Sequence, residues 1–284
     1  TDDIDVLPYI SPNKLDEISN KPNIQIIKYP DRGYSFLAFN LERPIFKDVR
    51  VREAIAKAIN RNNLIHALLN GNGQQIAGPI LPYFSVYDSS LVKHLYDPHL
   101  AATLLQAAGW QDMNKNEILE NNGKALEFSM KTNADNKLRS DALVMIQNDL
   151  QKIGIQANID LVEAGKLVED VLQRRDFDTV FLSWKTGYTI NPAQIWHSDA
   201  IKNGYNLGAY TQPVVDSLLT AARSEMNPLK IKQIWRRFQN IVARDYPYAF
   251  LYMQENPAIV CKRIRNIKMD VRGYLPNIEN WTLE

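Results

Sequence analysis

The sequence predicts an α/β fold with parallel strand pairing, and three features predict it. Between Leu126 and Ser183, two alternating apolar runs and one continuous run are separated by two helical segments. Asp48 and Asp97 each stand where a helix needs an N-cap, ahead of an apolar stripe. Glycines at 71, 109 and 154 close the helices that precede them. Strand–helix–strand–helix–strand with short loops implies parallel neighbours joined by right-handed crossovers.

Taken in order, residues 11–19 read as a short helix, and 24–29 and 34–40 as two strands. A Pro-bearing loop leads to a helix capped by Asp48, with Val51, Ile55 and Ile59 recurring at i, i+4, i+8. Residues 62–69 form a further helix, stopped by Asn70-Gly71-Asn72-Gly73, and 78–87 an irregular loop rich in Gly, Pro and aromatics. Asp97-Pro98 starts a helix in the expected way, with Leu100, Leu104 and Ala108 as its apolar face and Gly109 as its end. Leu126, Phe128 and Met130 alternate as a strand, and 138–153 is a long helix closed by Gly154. Ile155, Ala157, Ile159 and Leu161 alternate again, before a helix through about Gln173 and a buried strand at 179–183. Residues 214–224 and 228–245 are amphipathic helices, the second turning Ile231, Trp235, Phe238 and Val242 inward. Residues 248–253 and 258–261 read as strands, and the remainder has weak periodicity.

A chain of 284 residues with 45% apolar content can bury a substantial core in one large domain or two. Thirty-three basic and 32 acidic residues are dispersed, without a basic run or basic–aromatic patch, which argues against nucleic acid as a partner. No apolar stretch is long enough to span a bilayer. The one cysteine, Cys261, excludes an internal disulfide and a Cys-built metal site. The opening residues, DDIDVLPY, read like the middle of a protein, so a C-terminal portion is expected.

Two segments carry more than periodicity. In residues 39–61, FNLERPIFKDVRVREAIAKAINR, Phe39-Asn40 is followed by a loop holding Pro44, Phe46 and Asp48. Val51-Arg52-x-Ala54-Ile55 and a closing Ala58-Ile59-Asn60-Arg61 come next. Residues 96–110 read YDPHLAATLLQAAGW. Together these resemble the family 5 extracytoplasmic solute-binding proteins, the receptors of peptide and nickel ABC importers. The resemblance runs from the Asp-Ile-Asp-Val start through Tyr246-Pro247. It implies a type II periplasmic-binding-protein fold, one complete α/β lobe plus parts of the other. By that scheme 1–32 is part of the first lobe and the hinge approach, 33–255 the second lobe, and 256–284 the return to the first. Hinge strands are expected near 36–40 and 250–257. It further implies a monomeric, periplasmic or otherwise extracytoplasmic receptor that catalyses nothing and needs no cofactor. Its partners would be a peptide or other small ligand and the permease subunits of the importer. Membrane contact would come only through the permease or a lipid anchor outside this chain.

The best candidate ligand-facing segment is 181–210, FLSWKTGYTINPAQIWHSDAIKNGYNLGAY, because functional loops in parallel sheets lie at strand C-termini. It mixes aromatic side chains with small polar residues, as a cleft for a variable organic ligand needs. On the residues alone, Trp184 and Trp196 serve equally well as cleft walls or as core. The resemblance favours the cleft: it places the ligand loop after Trp184, giving Thr186, Gly187, Tyr188 and Trp196 as ligand-binding residues. It then matches Asn206, Tyr210 and an Asp216-Ser217-Leu218-Leu219 helix start. One departure stands out. Many peptide-binding members carry an Asp three residues after that Trp, where it pairs with the peptide α-ammonium. Here the position is Gly187, and no acid occurs between Trp184 and Pro192. Because a buried ammonium needs a compensating charge, either another carboxylate such as Asp199 meets it, or the ligand has no free amine. Oligopeptides are the favoured class, with nickel chelates, sugars and opine-like molecules as alternatives.

Other constellations carry less. His94, Asp97 and His99 bracket a helix start that points the histidines apart, which argues against a metal site. His66 and His197 are isolated. Asp176 and Asp178, beside Arg174 and Arg175, read as a solvated charge cluster at a strand start rather than an acid/base pair. No Gly-x-Ser-x-Gly elbow is present, Cys261 has no cue for a basic partner, and Gly71 and Gly73 lack the context of a phosphate loop. A cleft hydrolase would need two converging acids, and no convincing pair offers itself. Arg50 and Arg52 are expected to fix the helix that carries them.

Overall fold

Sixteen consecutive residues, Ile24–Phe39, form one strand around which the molecule is organised. The computed structural model describes residues 4–92 and 95–284. Its main elements in chain order begin with β1 (Val6–Leu7), β2 (Ile24–Phe39), α1 (Val49–Ala58), α2 (Arg61–Leu69) and β3 (Gly73–Gln75). There follow α3 (Pro98–Ala107), β4 (Glu127–Asn133), α4 (Lys137–Gln151), β5 (Gln156–Val162), α5 (Ala164–Val168) and β6 (Thr179–Lys185). The last are α6 (Pro213–Ser224), α7 (Pro228–Asp245) and β7 (Tyr248–Cys261). The strands build a seven-stranded sheet in the order β1-β7-β2-β6-β4-β5, with β3 also paired to β7. β4 is parallel to β5 and β6, as the alternation at 126–183 predicts, and β2 is antiparallel to β6 and β7.

β2 is central because its residues are apolar on both faces. Phe36 and Ala38 point to one side and Leu37 and Phe39 to the other, all fully buried. On the Leu37 side a core forms with Phe46, Val51, Ile55, Ile59, Phe128, Ile146 and Phe181. Val51, Ile55 and Ile59 are at most 1% exposed, and burying each contributes on the order of 2 kcal/mol. On the Phe36 side Trp196, Val215, Trp235, Phe238, Val242 and Tyr248 make a second core under α6 and α7.

Polar residues of the two signature segments tie these layers together. Asp48 caps α1 by accepting from the Arg50 N–H at 2.9 Å. Arg52 donates to the carbonyls of Phe46 and Lys47 and to those of Asp245 and Tyr246, joining α1 to the end of α7. Asn60 caps α2, and the buried Arg61 donates to Phe250 O at 2.7 Å and to three further carbonyls. Both are structural arginines, Arg52 as the sequence suggests.

The structure corrects four expectations of detail. The two strands expected at 24–29 and 34–40 are one. Asp31-Arg32-Gly33 does not end the strand but bulges it: pairing passes from Pro30↔Glu255 to Tyr34↔Met253, and the Asp31 carboxylate accepts from Gly33 N at 2.7 Å. The strands expected at 248–253 and 258–261 are likewise one, because β2 pairs with β7 on both sides of the bulge. In α3, Asp97 caps as expected, but Ala101 and Leu105 are the buried residues and Leu100 is 38% exposed. The small Ala101 lets α3 approach α1, which turns Leu100 outward. Leu161 is 47% exposed, since β5 is the sheet's edge. Gly154 is required where it stands: its φ is +79°, and a Cβ there would lie 2.7 Å from Leu119 Cγ.

Candidate functional site

Beyond the C-terminal end of β6 the chain forms a shallow recess. Thr186 is fixed first: its backbone N–H and its hydroxyl both donate to Arg32 O at 2.9 Å, and its hydroxyl also meets that of Tyr83. Burial pushes the Tyr83 phenol above its usual value, against the opposing effect of the Thr186 hydrogen bond, so it stays neutral. Arg32 then lies 4.5 Å over the Tyr188 ring, a cation–π contact that holds an otherwise exposed tyrosine at the rim. Tyr34, Ile80, Phe84, Gly187, Ile190 and Trp196 line the recess with Thr186, enclosing about 190 Å³.

Trp184 forms the adjoining wall. It is half-buried, stacked on Phe36 (5.7 Å between centroids, 25° between planes) and tilted against Tyr205 at 5.7 Å. One side of the indole packs on the core, and part of its surface stays accessible. Trp196 is 1% exposed and belongs to the core, packed against Tyr248 and Tyr210, with only its edge at the recess floor. Neither indole N–H makes a well-aligned hydrogen bond, although Trp184 lies beside Tyr248 and Trp196 beside Tyr34.

Asn206 and Tyr210 are turned inward. Asn206 Nδ2 donates to Tyr210 O at 2.8 Å and to His197 O at 3.2 Å, and its Oδ1 accepts from Tyr210 N at 2.9 Å. The Tyr210 hydroxyl is spent on Asp245. Both are buried and shape the loop from within. The structure thus brings Trp184, Thr186, Gly187, Tyr188 and the edge of Trp196 together, and keeps Asn206 and Tyr210 behind them.

Other acids have structural uses. Asp176 and Asp178 both pair with Arg43, and Asp178 also accepts from Ser129 N and Oγ, so this cluster joins β4 to the loop before α1. Asp97 caps α3; His94 lies outside the described residues. Asp199, whose side chain is 91% exposed, lies beside His197. Arg32, Tyr83 and Phe84 go unseen in the sequence. The aromatic loop at 78–87 is visible there, but nothing local shows that it meets residues 100 positions later.

Comparison with known proteins fits this geometry. Residues 1–206 match the model of the bacterial extracellular solute-binding proteins, family 5. The chain belongs to that family. It is 31% identical over 264 residues to the oligopeptide-binding protein AppA of Bacillus subtilis (strain 168), covering 92% of this chain and 49% of AppA. It is 23% identical over 274 residues to the dipeptide-binding protein of Escherichia coli (strain K12), covering 95% of this chain and 48% of that one. The chain spans about half the length of the curated relatives it matches. The structure of Bacillus subtilis AppA in complex with a nonapeptide superposes with a TM-score of 0.81 at 29% identity, over 99% of this chain and 56% of that one. NikZ from Campylobacter jejuni in complex with Ni(L-His) gives 0.78 at 25%, over 98% and 57%. These neighbours carry the type II periplasmic-binding-protein architecture expected from the two signature segments. Among the described residues no helix is long and apolar enough to cross a membrane.

Proposed function

We propose that this family 5 chain supplies one wall of a ligand cleft in the substrate-binding component of an ABC importer. Its ligand is peptide-like and is delivered to the membrane permease from outside the cytoplasm. The observation that carries this reading is the edge after β6. Thr186 and Gly187 line the recess and Trp184 and Tyr188 flank them along the chain, so aromatic surface, a hydroxyl and an uncovered backbone follow one another over residues 184–188, which suits a ligand of variable side chains. Trp196, Asn206 and Tyr210 support that edge from behind.

The lobe boundaries at 32/33 and 255/256 fall at the β2 bulge, where Pro30 pairs with Glu255 and the register shifts. A bulge at the crossing point of two long strands concentrates bending there. It suits residues 33–255 moving as one lobe against another that contains 1–32 and 256–284. Closure of two lobes on a ligand would present the surface that the permease reads, a ligand-driven population shift by a monomeric receptor.

The bare Gly187 favours a second reading within the same role, in which the ligand lacks a free ammonium, as a metal chelate does. The test is to unfold the full-length protein gently and identify the released small molecules by mass spectrometry. A ladder of short peptides supports the first reading. A single chelate or other non-peptide species replaces it with the second, and loss of affinity in Trp184→Ala places the ligand at this edge in either case.

A further inference from the structure

The chain as a whole balances 33 basic residues against 32 acidic ones, but the hairpin of α6 and α7 does not. Between Ser217 and Arg244 stand six lysines and arginines and one acid, Glu225. Arg223, Lys230, Lys232 and Arg237 are exposed, and among the described residues none of these cations makes an ion pair. Lys230 lies in the first turn of α7, where the helix dipole disfavours a cation, and no acid stands in that turn to offset it. Arg237 follows two turns later on the same helix face. The turn between the helices is apolar at the same place. Met226, at 89%, is the most exposed large apolar side chain among the described residues, and Leu229, at 74%, stands three positions away. One exposed apolar residue calls for no explanation. Two on a single turn, flanked by unpaired cations, break local rules together, and that marks functional surface.

Hydrogen bonds hold this tip in one shape. The Glu225 carboxylate accepts from the N–H groups of Met226 at 3.0 Å and Asn227 at 2.8 Å. Asn227 Oδ1 then accepts from those of Leu229 at 2.9 Å and Lys230 at 3.3 Å. A single bonded turn thus carries both apolar side chains and Lys230, and it spends the one acid of the tip on the backbone. α6 leaves the loop that contains Tyr210, and α7 returns to it at Asp245, which accepts from the Tyr210 hydroxyl. The 12 residues of α6 therefore carry the tip about 18 Å from that loop, so contact made there leaves the Trp184 recess open.

We propose that the α6–α7 tip is a membrane-contact surface: Met226 and Leu229 enter the bilayer interface, and Arg223, Lys230, Lys232 and Arg237 meet the anionic phosphates of lipid headgroups. A helix turn with side chains this exposed offers a protein partner no pocket. A bilayer interface needs none, since it takes apolar side chains at the acyl boundary and keeps Lys and Arg at headgroup level. Each cation near an anionic surface is worth about fivefold in binding. With two apolar side chains partly inserted, the association constant is on the order of 10⁴ M⁻¹, that of a single acyl chain. Binding of this strength is reversible, and it orients a receptor already at the membrane without immobilising it. Membrane contact then comes from this chain itself, beyond what a permease or a lipid anchor supplies. The setting rests on the importer reading, but the surface is testable without ligand or permease.

The test is co-sedimentation of the full-length protein, free of acyl modification, with two kinds of vesicle. One is phosphatidylcholine alone, and the other holds equal parts of phosphatidylcholine and phosphatidylglycerol. Wild type is expected to bind the anionic vesicles about 100-fold or more tightly than the neutral ones, and to lose that advantage in high salt. Lys230→Gln with Lys232→Gln removes two cations and should weaken binding about 25-fold. Met226→Ser with Leu229→Ser should weaken it about tenfold and keep the salt dependence. All four side chains are exposed, so melting temperatures should stay at the wild-type value. No binding by wild type, equal binding to both kinds of vesicle, or wild-type binding by both variants overturns the proposal. Capture of wild type but not of the variants by the purified importer in detergent, with vesicle binding unchanged, also overturns it and gives the surface to the permease.

Discussion

The Tyr210 hydroxyl donates to Asp245 Oδ2 at 2.7 Å, fastening the loop behind the recess to the last residue of α7. The same residue's carbonyl accepts from Arg52 Nη2 and Nε, so α1, α7 and the loop converge on Asp245. Burial and the neighbouring carboxylate hold the Tyr210 phenol far above its usual range, and it remains a donor at every pH the fold survives. Tyr210→Phe should therefore destabilise the protein by about 1–2 kcal/mol, through one lost hydrogen bond to a charged acceptor. A lower urea midpoint with unchanged slope checks this. Because Tyr210 stands behind the recess, ligand affinity should move less than stability does.

Arg61 is a harder case, since its removal strands several carbonyls at once. Arg61→Met keeps the volume but leaves Phe250, Ala56, Ile59 and Leu95 O short of a donor, among them buried groups. A loss of about 3 kcal/mol or more is expected. Chemical denaturation of the variant measures it, and a loss under about 1 kcal/mol would mean that water replaces the guanidinium there.

These clamps explain why so much of the fold is legible in the sequence. The segments at 39–61 and 96–110 contain caps at Asp48, Asn60 and Asp97 and carbonyl clamps at Arg52 and Arg61. Their residue types are dictated by local backbone geometry, and local geometry leaves a readable pattern. The site is less legible. Trp184 is visible as an aromatic at a strand end, but whether an indole faces core or cleft depends on what packs above it, and Trp196, of the same type and nearby, is buried. Tyr83 and Arg32 reach the edge through tertiary contacts of long sequence separation. A bulge such as Asp31-Arg32-Gly33 reads as a break because the residues that disrupt pairing also end strands.

Asp170 gives a pH signature. Its carboxylate accepts from Lys131 Nζ at 2.7 Å and from Lys166, and these hydrogen bonds hold its carboxyl below the ordinary value despite burial. A carboxyl depressed by folding contributes stability that is present above its unfolded pKa, near 4, and is lost as pH falls through the lower folded value. Wild type and Asp170→Asn should thus differ in urea midpoint at pH 7 and converge as pH falls below about 4. Parallel curves from pH 7 to pH 2 would show that the Lys131 contact contributes nothing to stability.

Gly187 allows the ligand's positive end to be tested by gain rather than loss. Its backbone is not in the left-handed region, and a Cβ there would meet only Thr189 backbone atoms at 3.6 and 3.8 Å, so an aspartate fits without strain. The position is exposed at the rim beside Tyr188, so the new carboxylate incurs little desolvation when no ligand is bound. Once closure covers it, an ammonium placed there gains a charge-assisted hydrogen bond, worth about tenfold or more in affinity. In the full-length protein, Gly187→Asp should bind a peptide with a free α-amine at least about tenfold more tightly relative to its N-acetylated form than wild type does. Calorimetric titration with the two peptides reads that ratio directly. An unchanged ratio would mean that the ligand's amine lies elsewhere, and that Thr186 and Tyr188 contact its middle rather than its end.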